Sequence, residues 1–208
     1  VFPDRYSISL FNLNYLSKIK DTDIEKITKK IYLDSLIFDQ NACSSPHLII
    51  WSGNKNRNKY KKFWSSLKMH VEKGKLFVPT EKKMFDKFTM LCELSAKRKE
   101  IGKTFQNGFI NITQLKEIPK DIDKFRIGNG YFFEFFVKNL KSLKININKK
   151  IQTMTYFGFT IVELKKFISN ARPLGIDRVV PVGRGLEFDR IWDGYDLIRS
   201  LSKIIDIK

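Results

Sequence analysis

An α/β fold, a sheet covered by helices, is what this sequence predicts, and three observations predict it. Short apolar runs alternate along the chain with segments whose apolar residues recur at helical spacing, the order that lays helices over a sheet. Paired helix-start signals stand before two of the helical segments, Thr22 with Glu25 and Thr160 with Glu163. The composition supports a buried core: of 208 residues 42% are hydrophobic and 13% aromatic, with only 6 Pro and 11 Gly, unlike a disordered or collagen-like chain. No internal repeat, low-complexity linker or composition break divides the chain, so residues 1–208 read as one continuous domain.

In order along the chain, residues 6–11 read as a strand. Thr22 begins a helix, with Glu25 completing a capping box and Ile24, Ile27 and Ile31 on one face. Residues 38–45 carry few helix signals and read as a turn, and residues 48–51 as a short apolar strand ended by Ser52-Gly53. Tyr60, Phe63, Trp64, Leu67 and Val71 share one side of a basic amphipathic helix over residues 58–73, with Gly74 as its stop. A helix over residues 81–99 presents Met84, Phe85, Phe88, Leu91, Cys92 and Ser95 at helical spacing, which assigns Cys92 to the core. Residues 125–151 read as strands and turns. The Thr160/Glu163 box starts a helix to residue 171, residues 179–182 are strand-like, and residues 195–205 form a closing helix.

The charge balance, 39 Lys+Arg against 22 Asp+Glu, leaves +17, so polyanions are the first partners to consider. Stretches such as residues 55–59 and 145–150 show the Lys, Asn and Ile richness of AT-rich coding DNA, and this bias outweighs a dedicated basic footprint. Two cysteines, Cys43 and Cys92, make no disulfide framework and point to a reducing, cytoplasmic compartment. No apolar run approaches the ~18–20 residues of a membrane span, and the longest apolar cluster, residues 131–137, is interrupted by Glu134. Two histidines and two distant cysteines offer no zinc-ligand spacing.

The stretch with chemistry in it is Asp39-Gln40-Asn41-Ala42-Cys43-Ser44-Ser45-Pro46-His47, immediately before an apolar strand. A cysteine among small neighbours, on a turn closed by proline, leaves room for a carbonyl to reach the sulfur, and a thiol needs only modest activation to accept an acyl group. Backbone N–H groups of such a turn can face the oxygen of a tetrahedral intermediate. The alternative is that Cys43 is a small buried hydrophobe, as free cysteines often are. Asn41 and Ser44 flank it. His47, four residues on, invites a Cys/His pair, although the intervening Pro46 and strand do not require the two side chains to meet. His70 falls on the exposed side of the basic helix.

This loop resembles the catalytic-cysteine segment of the long-chain fatty acyl-CoA reductases of bacterial bioluminescence, within the aldehyde dehydrogenase superfamily. Residues 177–189, Asp-Arg-Val-Val-Pro-Val-Gly-Arg-Gly-Leu-Glu-Phe-Asp, and the following Ile191-Trp192-Asp193-Gly194-Tyr195-Asp196-Leu197-Ile198-Arg199 resemble that family's closing segment. The resemblance covers the ends of the chain well and its lysine-rich middle poorly. It implies a three-layer catalytic domain with helices on both faces of a largely parallel sheet. It also implies reduction of a fatty acyl-CoA thioester to an aldehyde through an acyl-Cys43 intermediate, with hydride from NADPH. No Gly-rich phosphate turn follows a strand here. On that resemblance the cofactor-binding half precedes Val1, and residues 1–208 are a catalytic part unable to complete the cycle alone. Acyl-activating and acyl-transferring enzymes, and an oligomeric intact enzyme, are the partners it implies.

Two departures bear on the chemistry. Where water-using aldehyde dehydrogenases place a glutamate base, some 30-odd residues before the cysteine, this sequence has Asp4-Arg5-Tyr6-Ser7-Ile8-Ser9. An enzyme that exchanges its acyl group with CoA has no need to activate water. Where the superfamily holds the nicotinamide ribose with a later glutamate, the matching segment is Ile151-Gln152-Thr153-Met154, so Gln152 or Thr153 would take that role, against an ordinary strand end. For the closing segment, turn-forming glycines, a packing Trp192 and a structural Arg184–Asp189 pair are favoured over Arg184 lining a cleft. The basic helix at residues 55–73 reads as a solvated face rather than a seat for CoA phosphates. The competing functions are a basic nucleic-acid-binding module, disfavoured because Tyr60, Phe63 and Trp64 recur at core spacing, and a thiol acyl carrier or transferase without a reductive step.

Overall fold

A computed structural model describes residues 5–143, 149–172 and 174–207. In chain order the elements are β1 (Tyr6–Asn12), α1 (Leu13–Leu16), α2 (Asp21–Leu36), β2 (Pro46–Ser52), α3 (Arg57–Lys73), α4 (Glu81–Lys97), β3 (Ile101–Asn107), β4 (Ile110–Leu115), β5 (Tyr131–Val137), β6 (Ile151–Phe157), α5 (Ile161–Ala171), β7 (Arg178–Pro181), β8 (Ile191–Trp192), β9 (Tyr195–Asp196) and α6 (Leu197–Leu201). Seven strands form one sheet in the order β3-β4-β5-β2-β1-β6-β7, parallel throughout except for the edge hairpin β3–β4.

Strand alternation decides which layer each side chain serves. Leu48 and Ile50 of β2 join Ile8 and Leu10 of β1 on one face, while Ile49 and Trp51 join Phe11 on the other. Both faces are therefore apolar, as a parallel sheet covered on two sides requires. On the Trp51 face α2 and α3 pack Ile24, Ile27, Ile31, Phe63, Trp64 and Leu67. On the opposite face α5 inserts Leu164 and Phe167, and α4 leans in through Leu91 and Leu94. This is the three-layer α/β architecture, with helices on both faces of a largely parallel sheet.

The carboxylate that interrupts the apolar run of β5 has a structural explanation. Glu134 is fully buried and accepts from the Trp51 indole Nε1 at 2.9 Å and from the Tyr60 hydroxyl at 2.7 Å. Burial raises its pKa, against those hydrogen bonds, which lower it. Trp51 itself packs between Phe11 and Phe63, each with ring centroids 5.1 Å away. Phe63 and Trp64 are thus core residues, and Tyr60 turns inward to Glu134, so these aromatics do not line a nucleic-acid surface.

Several sequence expectations need correction. Thr22 is no cap: α2 starts at Asp21 after Lys20, which makes no side-chain cap, and Asp21 and Asp23 offset the helix dipole instead. The Thr160/Glu163 capping box does form, at the start of α5. Gly74 ends α3, but in extended geometry rather than left-handed; a Cβ there would collide with the Tyr32 hydroxyl. His70 is partly buried, with Nε2 3.0 Å from the Glu25 carbonyl oxygen. The hairpin β3–β4 has no counterpart among the sequence expectations, although Asn107-Gly108 marks it: Gly108 takes φ +64° at the first position of a two-residue turn. On α4, Phe85 and Phe88 are exposed, and so is Cys92, because the helix turns Leu91, Leu94 and the buried Lys87 inward. The closing helix is only α6. Asp193 and Gly194, both at positive φ, turn the chain into the β8–β9 hairpin first, and Ile204 beyond α6 is 96% exposed.

Candidate active site

Cys43 lies in the connection from α2 to β2, at the end of the sheet where β1, β2, β5 and β6 begin. The loop is held from below by a fully buried amide. Asp39 and Gln40 both adopt left-handed backbone, at φ 53° and 61°, which drops the Gln40 side chain into the protein. Its Nε2 donates to the carbonyls of Pro46 and Tyr131, both at 3.1 Å, and its Oε1 accepts the N–H groups of Gly130 at 2.8 Å and Tyr131 at 3.0 Å. All of its hydrogen-bonding groups are used, and these bonds offset the cost of two strained residues, about 1–2 kcal/mol each.

Two serines hold the loop from the sides. The Ser45 N–H donates to the Ala42 carbonyl at 3.0 Å, closing a turn around Cys43 and Ser44, and the Ser45 hydroxyl donates to the Asp34 carbonyl at 2.9 Å. The Ser7 hydroxyl donates to the Cys43 carbonyl at 2.7 Å. Cys43 itself is half-buried, Ser44 is buried and Asn41 is exposed. The Arg126 guanidinium reaches the carbonyls of Arg5 at 2.9 Å and Asn41 at 3.4 Å, tying the rim of the loop to the start of β1.

Ser7 is also the meeting point of the later candidates. The pairing of β1 with β2 slips at Ser7/Ile8, and the extra residue on β2 is His47. The pairing of β1 with β6 slips over Tyr6–Ile8, and the extra span on β6 contains Gln152 and Thr153. Both irregularities flank one serine, whose oxygen also accepts the Thr153 N–H at 3.3 Å.

His47 is 1% exposed and stacks on Tyr6, with ring centroids 5.4 Å apart, and neither ring nitrogen finds a hydrogen-bond partner among the described residues. Burial, reinforced by the charge of Arg126, lowers its pKa to about 3. Gln152 donates from Nε2 to the Asp193 carboxylate, while its Oε1 and the Thr153 hydroxyl are buried without partners among the described residues.

The closing segment reaches this site through Asp34. Its carboxylate, at the end of α2, accepts the Gly183 N–H at 2.6 Å and the Gly185 N–H at 3.0 Å. A Cβ on Gly185 would meet that carboxylate at 3.1 Å, so the glycine permits the approach. Burial raises the Asp34 pKa to about 6 although both N–H bonds lower it. Arg178 fixes the same turn by donating to the carbonyls of Arg184 and Gly185 at 3.0 and 2.7 Å. Trp192 packs as expected, against Phe188 at 5.1 Å. Arg184 does not pair with Asp189: its Nε meets Glu187 at 2.5 Å, three residues on, and the pair is exposed.

Cys43 and the strands around it carry local sequence signals, whereas Ser7, Asp34 and Gln40, which hold the loop, are singled out by none.

The family model for acyl-CoA reductase (LuxC) matches residues 8–115, a span that contains the Cys43 loop. No curated sequence matches the chain. Among solved structures, a point mutant of 1-pyrroline-5-carboxylate dehydrogenase from Thermus thermophilus is 9% identical with a TM-score of 0.50, covering 86% of this chain and 36% of that one. Lactaldehyde dehydrogenase is 9% identical with a TM-score of 0.52, covering 85% and 39%. NAD-dependent benzaldehyde dehydrogenase from Corynebacterium glutamicum is 9% identical with a TM-score of 0.51, covering 94% and 42%. The chain thus shares the fold of these dehydrogenases and spans well under half the length of each. No helix among the described residues is long and apolar enough to cross a membrane.

Proposed function

Since the chain belongs to the acyl-CoA reductase (LuxC) family, an oxidoreductase family, we propose that Cys43 is its acyl acceptor and that residues 1–208 form the cysteine-bearing part of a fatty acyl-CoA reductase. The observation that carries this is the turn itself: Cys43 is half-exposed while the backbone around it is fixed by Gln40, Ser7 and Ser45.

The Cys43 thiolate attacks the thioester carbonyl, a carbon–sulfur bond forms, and the CoA thiolate leaves. In the turn closed from Ser45 to Ala42, the Cys43 N–H is not used by the closing bond and has no acceptor among the described residues. It can therefore receive the developing oxyanion. A reduced nicotinamide, NADPH by the family resemblance, would supply the hydride that releases the acyl group as aldehyde, leaving the Cys43 sulfur as thiolate. Gln152 suits that group: its buried Oε1 lacks a partner among the described residues and can accept from a ribose hydroxyl, and its strand is tied to the Cys43 loop through Ser7 and Thr153. The Thr153 hydroxyl, likewise unpartnered among them, backs the same strand. His47 serves as a neutral packing group under the loop rather than as a base, and Asn41 and Ser44 shape its rim. The cofactor-binding half lies outside residues 1–208, and acyl-activating and acyl-transferring enzymes in the cytoplasm supply the substrate.

The test incubates the chain, extended upstream to the full enzyme, with a tagged long-chain acyl-CoA. Label on Cys43, retained in Cys92→Ala and absent in Cys43→Ala, is expected, as is discharge of aldehyde when NADPH is added. Label that survives Cys43→Ala would overturn the assignment. Label on Cys43 that NADPH cannot discharge would favour an acyl carrier.

A further inference from the structure

A cleft of about 680 Å³ opens at the far end of the sheet from Cys43. It is bordered by Asn12 at the end of β1, Ser52 and Gly53 at the end of β2, and Lys138 just past β5. Topology places it there. The chain leaves β1 for α2 on the Trp51 face and leaves the adjacent β6 for α5 on the opposite face, so the two connections part and a crevice opens beyond the strand ends. Open parallel sheets hold ligands at such a point. The cleft belongs to neither the Cys43 loop nor the residues joined to it through Ser7.

Its lining carries three lysines against one glutamate, and an apolar wall. Lys138, Lys141 and Lys166 border it beside Leu140, Phe159 and Asn170. None of the three lysines has a carboxylate within ion-pair distance among the described residues, whereas Lys59, Lys62 and Lys83 elsewhere on the surface are paired at 2.7, 2.5 and 2.7 Å. The acid in the lining, Glu163, is committed to the Thr160 N–H and hydroxyl, both at 2.8 Å. Three lysines against one glutamate leave a net positive charge around a concave surface, which focuses positive potential into it. A monocarboxylate would balance one of them; a di- or polyphosphate balances them all. The volume lies within the range of small-molecule sites, and Leu140 and Phe159 offer a surface to an aromatic or apolar body.

We propose that this cleft is a second ligand site, independent of Cys43, for a phosphorylated small molecule with an aromatic or apolar body, of the nucleoside diphosphate class. Both features are required: phosphate for the lysines and the body for the wall.

Calorimetric titration of the full chain with adenosine 5′-diphosphate tests it, with adenosine and inorganic pyrophosphate as separate arms. The diphosphate nucleoside is expected to bind, with affinity that falls as salt rises, and each half to bind at least tenfold more weakly. The exposed lysines tolerate replacement, and Lys138→Gln/Lys141→Gln/Lys166→Gln should weaken binding at least tenfold. Lys165→Gln, on the same helix but outside the lining, and Cys43→Ala should leave it unchanged. Absence of binding, an unaffected triple variant, or an equal loss in Lys165→Gln would overturn the site. A loss in Cys43→Ala would overturn its independence, and pyrophosphate binding as tightly as the nucleotide would overturn the role of the apolar wall.

Discussion

The Ser7 hydroxyl donates to the Cys43 carbonyl at 2.7 Å, joining the first strand of the sheet to the one turn that carries a candidate nucleophile. Because the same oxygen accepts the Thr153 N–H, Ser7 sets the spacing between the Cys43 loop and the start of β6. Ser7→Ala leaves a backbone carbonyl and an N–H without this partner in a buried setting, which costs roughly 1–3 kcal/mol. Urea unfolding should show that loss, and acyl transfer to Cys43 should slow while thiol alkylation by a small reagent does not. Unchanged acylation would mean that Ser7 is structural only.

Gln40 is the stronger anchor. Gln40→Leu removes two donor and two acceptor interactions from a fully buried position and leaves Gly130, Tyr131 and Pro46 groups unsatisfied. Its unfolding free energy should fall by about 3 kcal/mol or more. Faster amide exchange at Gly130 and Tyr131 would locate the damage.

Asp34 makes stability depend on acid in an unusual direction. Its carboxyl is held at about 6 in the folded chain against an ordinary 3.8, so between these values the folded state binds more protons than the unfolded one. Stability contributed by Asp34 is present at low pH and is lost as pH rises from about 4 to about 6, on the order of 3 kcal/mol. Denaturation across the range from below the ordinary carboxylate value to neutrality should show that component vanish in Asp34→Asn.

His47 acts with the opposite sign. Its folded pKa of about 3 lies below the ordinary 6.5, so the unfolded chain binds the extra proton, and stability rises with pH between the two values. Proton NMR should show the His47 ring unchanged from about pH 8 to about pH 5, and His47→Phe should flatten acid unfolding between the folded and ordinary values. A ring that titrates near 6.5 would contradict the buried placement.

Cys92 should behave as a surface thiol. Maleimide should label it quickly, and Cys92→Ser should change stability by less than about 0.5 kcal/mol, since the residue is exposed on α4.

The alternation of strands and helices, the Thr160/Glu163 box and the apolar faces of residues 24–31 and 63–71 are legible in the sequence because they are local periodicities, each satisfied within one element. The cysteine loop is legible as a turn because residues 38–45 carry no helical periodicity and Pro46 favours the extended backbone that opens β2. Ser7, Asp34 and Gln40 are not, because a hydrogen bond between residues 36 or 149 positions apart leaves no periodic trace. Nor does spacing alone orient a helix: α4 carries an apolar stripe, yet Phe85, Phe88 and Cys92 face outward because Leu91 and Leu94 make the inward contact. The sequence by itself determined the α/β order and the candidate nucleophile. The tertiary structure alone decided that His47 is buried, that the Gly183-Arg184-Gly185 turn clamps Asp34, and that the lysine-rimmed cleft lies at the other end of the sheet. Those outcomes depend on strand order and register, which are fixed when distant segments pair and not before.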